Sequence, residues 1–310
     1  MGGRLKVQPV TRVGVAPLVE IARHLRAALP GHEETSAAKG RPDADDLALD
    51  LAHLAVHDGG GFLVASLADE VVGFAVSLIR SRQLVLTQLW LIPELADPHV
   101  TEVLLRRVMS HGVRAGVKDF ASHVLGGAEQ QAVCFRFGMR PRFPIYRLSL
   151  EPPRALQLGG QLARLLPGLE VTAEGLDRRA GSADLERLDR LTRGISRPMD
   201  HEYWLHQRNL RLATVREGQR VAAYAYGGRA QCGPVAASTT EAGLAALGWA
   251  LLFAAQAEEE RVTVLVPAVF EGAVEALLEA GAACSAVTQW MARQSTSGME
   301  RYVLAGDTLS

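Results

Sequence analysis

The sequence predicts an α/β protein with a mixed sheet, built twice over. A strand, a short loop, an apolar helix, a second strand, a short helix, a glycine turn and a final strand follow one another over residues 84–148. The same order returns over residues 229–291. In each copy the opening strand carries a proline, Pro93 or Pro234, and the turn carries a glycine, Gly138 or Gly281. An apolar helix leading from one strand to a neighbouring one implies a partly parallel sheet in each half. A length of 310 residues suits two domains, each with its own core. Pro152-Pro153 marks the expected boundary, giving domains at 1–151 and 169–310 joined by a linker over 152–168.

The elements follow from local patterning. Apolar residues at helical spacing place a helix over 15–29, stopped by Pro30-Gly31. Residues 32–42 are small and polar and read as a loop. A second amphipathic helix spans 45–57, with Leu47, Leu51 and Leu54 on one face and Gly59-Gly60-Gly61 as its stop. Alternation over 62–66 and 71–79 around Asp69-Glu70 predicts a hairpin. A more apolar strand follows over 84–92, then a helix over 101–112, a buried strand over 119–124, a short helix over 130–137 and a strand over 146–150. In the second half a helix over 155–166 would link the domains and a strand over 169–173 would open the next sheet. Helices are expected over 183–193 and 202–209, and paired strands over 212–215 and 220–226. The repeat then closes with strands over 232–236, 261–267 and 286–292 and helices over 242–256 and 272–278.

Composition narrows the function classes. Apolar residues make up 48% and charged residues 22%, with a net charge of −1, so nothing points to nucleic acid or to an anionic membrane surface. Cys134, Cys232 and Cys284 lie far apart without CxxC spacing, which argues for a reducing compartment and against a zinc site. No segment approaches the ~20 apolar residues of a membrane helix. The expectation is a cytoplasmic protein that works on a small molecule; its oligomeric state is not written in the sequence.

The order of elements, with "VVGFAVSLI", "LWLIPEL" and "CFRFGMRPRF" in the first half and "CGPVAA", "EALLEAGA" and "WMAR" in the second, resembles the GNAT acyltransferase superfamily. The likeness is to chains with two GNAT-like domains in tandem. It covers most of residues 5–150 and, more weakly, 168–308. It implies a pseudo-twofold pair of domains. It also implies a splayed central strand holding acyl-CoA, and a pyrophosphate on the helix that follows that strand. Backbone groups at Leu91 and Ile92, or at Val235 and Ala236, would then face the cofactor and stabilise an oxyanion.

Both phosphate loops depart from the family's glycine-rich run. The first reads Ala96-Asp97-Pro98-His99-Val100-Thr101, where Asp97 and Pro98 make an N-cap and a first-turn proline. The second reads Ala237-Ser238-Thr239-Thr240-Glu241, where Ser238 and Glu241 have capping-box spacing. The hydroxyls of Ser238, Thr239 and Thr240 leave the second half as the better cofactor candidate. On the short helix before each glycine turn, the family's Asn and Tyr places hold Gln131 and Cys134 in the first half. Phe270 stands at the Asn place in the second half. Cys134 reads either as an acid or nucleophile or as a small core residue.

Other constellations keep two readings each. His53 and His57, with Asp46 and Asp50, form either a polar helix face or a metal or acceptor site. The cluster Arg197, Asp200, His201, Glu202 and Trp204 holds either an N-cap at Asp200 or a site. In the site reading His201 or Glu202 is the base and Arg197, Asp200 and Trp204 line the acceptor pocket. Tyr302 is the phenol that the resemblance favours as an acid in the second half. Two functions lead, with a metal- or haem-dependent site at His53 and His57 as a third. One is an acyl-CoA-dependent N-acyltransferase acting on a small amine. The other is a degenerate GNAT-fold protein that has abandoned CoA and serves as a binding module or an enzyme of another class.

Overall fold

The computed structural model describes residues 4–27, 43–92, 98–125, 128–165, 170–172, 180–229, 231–257, 260–295 and 297–309. The chain divides into two compact units. The N-terminal unit comprises Met1–Pro141 together with Gln289–Gln294 and Asp307–Ser310, and the C-terminal unit comprises Arg142–Thr288 and Ser295–Gly306. The division therefore falls ahead of the Pro152 boundary read from the sequence, because the last strand of each repeat contributes to the other unit.

In the N-terminal unit, β1 (Lys6–Pro9), β2 (Phe62–Leu67), β3 (Glu70–Arg80) and β4 (Gln83–Leu91) run antiparallel in that order. β1 is an edge strand that the sequence reading did not contain. The β2–β3 turn places Ala68 and Asp69 at φ 50 and 68, both positive, which suits the twist of a tight hairpin. Strand β4 then pairs in parallel with β5 (Asp119–Val124), and β5 pairs antiparallel with residues 289–292 of β12 (Ala283–Ala292). Helix α1 (Ala16–Ala27) precedes α2 (Asp43–His57). Helix α3 (Pro98–Arg114) makes the β4-to-β5 crossover, and α4 (Ala128–Arg136) follows β5. Leu104, Leu105 and Val108 of α3 pack on Leu84, Leu86, Phe120 and Val124 to form the core of this unit.

In the C-terminal unit the strand order is β6 (Arg140–Leu150), β11 (Val262–Pro267), β10 (Gln231–Ala237), β9 (Arg220–Gly228), β8 (Arg211–Glu217) and β7 (Glu170–Thr172). β6 runs six residues further toward the N-terminus than the alternation predicted. Helix α5 (Pro152–Leu162) is no linker. Ala155, Leu158 and Leu162 are buried in the core against α8 (Thr240–Ala255). The two helices approach closely because both carry glycine at the crossing. A Cβ at Gly248 would lie 2.6 Å from the Ala163 nitrogen, and one at Gly159 would lie 2.8 Å from the Gly248 oxygen. Helices α6 (Ala180–Arg193), α7 (Pro198–His206) and α9 (Glu271–Glu279) complete this unit. Among the described residues no helix is long and apolar enough to cross a membrane.

Candidate functional site

Each unit has a place where two parallel strands start together and part. In the N-terminal unit β4 and β5 stay paired from Gln83↔Asp119 to Leu86↔Ser122. The register between β3 and β4 then shifts, with Thr87 as the extra residue. Beyond it a slot opens, lined by β4 from Leu86 to Trp90, by β5 from Ser122 to Val124 and Leu125 just after it, and by Gln130 and Cys134 of α4. Ile92 donates its N–H to Val72 of β3, whereas Leu89 offers its carbonyl the other way, to Gln130 Nε2 at 3.1 Å. Strand alternation therefore points the polar backbone of Leu89 into the slot, that of Leu91 to the same side beyond its lining, and that of Ile92 away from it. The Ile92 backbone thus faces β3 and not the slot where a cofactor was expected.

The two sheet faces at this slot carry different chemistry. Cys134 sits with Leu86, Phe120 and Val124 on the side of α3 and α4. Burial pushes its thiol up to about 11, against a weaker lowering by a hydrogen bond with Ser122. A thiol so protonated is neither a nucleophile nor a ready proton donor at neutral pH, and it keeps its S–H for donation. Alternation along β5 turns His123 to the opposite face, and the shift at Thr87 puts Gln88 and Trp90 there too. Trp90 Nε1 donates to Gln88 Oε1 at 3.1 Å. His123 is buried and lines the slot, yet no motif marked it; only its place on the strand before the short helix could have. Gln130, one residue before the expected Gln131, is the amide that reaches β4.

The matching opening in the C-terminal unit is filled by the chain itself. β10 and β11 share a parallel register at Cys232↔Val264. Past it β13 (Tyr302–Val303) pairs antiparallel with β10, Val303 opposite Val235 and Tyr302 opposite Ala236. Leu304 N then donates to Leu265 O of β11 at 3.1 Å, so one segment bridges both strands. The fit is close: Gly233, at φ 127, has no room for a Cβ, which would lie 2.3 Å from the Leu304 oxygen. The edge expected to meet the cofactor at Val235 and Ala236 is thus already hydrogen-bonded to residues 302–303.

The loop after β10 is also self-satisfied, though by different atoms than the capping-box spacing indicated. Thr239, not Ser238, is the N-cap, and its hydroxyl accepts from Ala242 N at 3.2 Å. Ser238 turns its hydroxyl to the Ala222 carbonyl at 3.0 Å. The Glu241 carboxyl is held below its usual range by its own backbone N–H and then by the Thr239 hydroxyl, with a smaller contribution from Thr240. Of the first loop, residues 93–97 lie outside the described residues, so the Asp97 cap does too.

Several expected acceptor residues meet, but in a sealed cluster. Asp189 of α6 is fully buried. Its Oδ1 accepts from Arg197 Nε at 3.2 Å and from the Tyr224 hydroxyl, and its Oδ2 faces His201 Nε2 at 2.9 Å. His201 Nδ1 lies 2.9 Å from the Tyr226 hydroxyl. Burial alone would raise the Asp189 carboxyl; the charges of Arg197 and His201, with hydrogen bonds from His201 and Tyr224, overcome it and hold the group below its usual range. Burial likewise opposes the Arg197 charge, and Asp189 beside it restores and exceeds it. Arg197 also stands over the rings of Trp204 (4.7 Å) and Tyr302 (5.4 Å), and Arg193 donates to the Tyr302 hydroxyl at 3.4 Å.

That geometry corrects the roles drawn from the sequence. Both ring nitrogens of His201 are engaged, by Asp189 and Tyr226, so neither is open to an incoming amine. Glu202 is exposed and pairs with His206 at 3.3 Å. Asp200 is not the N-cap; Arg197 is, and Pro198 opens α7. Trp204 and Tyr302 are core aromatics, with no exposed surface to offer a ligand. The His53 and His57 rings lie 4.7 Å apart, tilted by 50°, the first buried and the second exposed. Among the described residues no group of three His, Cys, Asp or Glu side chains is placed to hold a metal ion.

No protein-family profile and no curated protein matches this sequence. Solved structures do. A protein from Pyrococcus horikoshii regarded as an acetyltransferase superposes with a TM-score of 0.73 at 14% identity, covering 99% of this chain and 96% of its own. A tandem GNAT protein from the clavulanic acid biosynthesis pathway gives 0.57 at 11% identity, covering 93% and 98%. A GCN5-related N-acetyltransferase from Sphaerobacter thermophilus gives 0.55 at 13%, covering 94% and 97%. Matches that span both halves at this identity establish architecture: the chain has the tandem fold of the GCN5-related N-acetyltransferases.

Proposed function

We propose that the N-terminal unit transfers an acyl group from acyl-CoA to a small amine, and that the C-terminal unit keeps the fold without the cofactor. The supporting observation is the contrast between the two strand openings. The β4–β5 slot presents the backbone edge of Leu89, whereas the β10–β11 opening is occupied by Tyr302–Val303. The choice of unit is therefore the reverse of the one the loop sequences favoured.

In this reading the pantetheine of the acyl donor pairs with the β4 edge after Gln130 releases the Leu89 carbonyl. The thioester lies beside the shift at Thr87. A neutral amine enters from the face of Gln88 and His123, its nitrogen bonds to the acyl carbon, and the carbon–sulfur bond breaks. The Leu89 N–H steadies the developing oxyanion. His123 takes the proton released by the amine. Cys134, on the opposite face, hydrogen-bonds the departing thiolate. With its pKa near 11 it is a weaker acid than an ordinary thiol near 8.5, so solvent supplies the proton.

Release of free thiol from acetyl-CoA in the presence of a panel of small amines tests the reading. His123→Gln is expected to lower the amine-dependent rate by roughly 10²-fold, as for loss of a general base, with acetyl-CoA affinity retained. Turnover that survives His123→Gln and Gln130→Trp together would rule out this slot.

A further inference from the structure

Helix α3 has an outer face that takes no part in the slot. The helix carries the chain from the end of β4 back to Asp119 at the start of β5, so its first turns lie toward the slot's open end. Its inner face, with Leu104, Leu105 and Val108, is buried in the core. The outer face bears Arg106, Arg107 and Arg114, all exposed, along a surface depression of about 430 Å³ that Glu102 and Ser110 also line. Arg106 pairs with Glu102, whereas Arg107 and Arg114 have no ion-pair partner among the described residues. Residues 98–118 hold four Arg or Lys and a single carboxyl, in a chain whose net charge is −1. The start of α3, where the phosphates of CoA would fall, is poorly equipped for them. Its first residue is Pro98, which has no N–H to donate, and residues 93–97 contain no glycine.

We propose that the acyl donor of the β4–β5 slot is borne by a small acidic carrier protein. The carrier docks on the Arg106, Arg107 and Arg114 face of α3 and places its acylated phosphopantetheine arm in the slot. The inference rests on the acyl-transfer reading for what the arm delivers, though not for the docking face. Among the described residues no Asp, Glu, Lys or Arg lines the slot, which suits the uncharged pantetheine and offers nothing to a phosphate. A carrier-borne arm ends in one phosphodiester, whereas CoA brings a pyrophosphate and a further phosphate, so the arm asks less of the start of α3. The 17 residues of α3 span about 25 Å, a length that matches a helix of a partner protein better than one nucleotide. Arginine forks pair well with carboxylates, and exposed charges of this kind steer encounter in a salt-dependent way. The chemical step is unchanged: the amine nitrogen bonds to the acyl carbon, and the thiol leaves on the carrier's arm.

The thiol-release assay tests it with two donors, acetyl-pantetheine and acetyl-phosphopantetheine on a bacterial acyl carrier protein. Wild type is compared with the double variant Arg106→Glu, Arg107→Glu, the two having matched circular dichroism. At low salt the carrier-borne donor is expected to exceed acetyl-pantetheine in kcat/KM by about tenfold or more. That advantage should fall as salt rises and vanish in the double variant, with the acetyl-pantetheine rate unchanged. Equal kcat/KM for the two donors, or an advantage that survives charge reversal, overturns the docking. A short DNA duplex that inhibits as strongly as the unacylated carrier overturns the assignment of this face to a carrier. If neither donor releases thiol, the transfer reading falls instead, and fluorescence anisotropy of the labelled carrier decides the docking alone. Binding abolished by the charge reversal then upholds the docking face, and no binding, or binding that survives the reversal, overturns it.

Discussion

Asp189 shows how much of the C-terminal unit hangs on one side chain. Its carboxylate is the common partner of Arg197, His201 and Tyr224, all buried. Asp189→Ala leaves the Arg197 guanidinium without its counter-charge, and a loss of about 3–5 kcal/mol in denaturant stability is expected. The folded carboxyl titrates below its unfolded value near 3.9, so this contribution is complete above about pH 4 and is lost as pH falls through the folded pKa. Urea midpoints of wild type and Asp189→Asn should accordingly differ at pH 7 and converge in acid. Cys134 gives a second test at this scale. With a pKa near 11 only about one thiol in 10⁴ is ionised at pH 7, so iodoacetamide should modify exposed Cys284 far sooner. The sequence made Arg197, Asp200, His201 and Trp204 visible as a cluster but not its purpose. Asp189 lies on another helix and Tyr224 and Tyr226 on a strand, so only the fold shows that His201 is fully engaged. His123 was illegible for the converse reason, since a histidine in an apolar strand carries no spacing signal.

At the scale of elements, the α5–α8 contact and the β13 insertion hold the C-terminal unit in its closed form. Gly248→Val must push its side chain into the backbone of Ala163, a backbone that cannot yield as a side chain would. Overpacking of this kind costs about 1–3 kcal/mol, and a drop of several degrees in the melting temperature is expected by calorimetry. Helices and strands with regular patterning were readable: β2 to β5, α3, α8 and β11 fall within a few residues of their expected bounds. β1 was not, because Lys6–Pro9 is a four-residue edge strand with no alternation long enough to stand out. The phosphate loops were readable as helix caps in kind but not in detail. Ser238 and Thr239 are both good caps by type, and only the turn of β10 into α8 decides that Thr239 meets the free N–H of Ala242.

For the whole molecule, the repeat in the sequence correctly announced two similar halves, and the resemblance built on it agrees with the tandem fold. What the repeat could not announce is that its copies differ at the strand opening, which in the second is occupied by Tyr302–Val303. That difference comes from residues 295–309, which lie after the second copy and are divided between the two units. A short strand such as Tyr302–Val303 has no periodicity, and its partner on β10 is some 65 positions away in sequence, so its pairing is a property of the fold. The central claim is that one opening is available to an acyl carrier and the other is closed by the chain. Calorimetric titration with acetyl-CoA tests it most directly, on wild type, Gln130→Trp and Ser238→Trp. The account predicts one site per chain, lost in Gln130→Trp and kept in Ser238→Trp. Two sites per chain, or a single site lost only in Ser238→Trp, would contradict it.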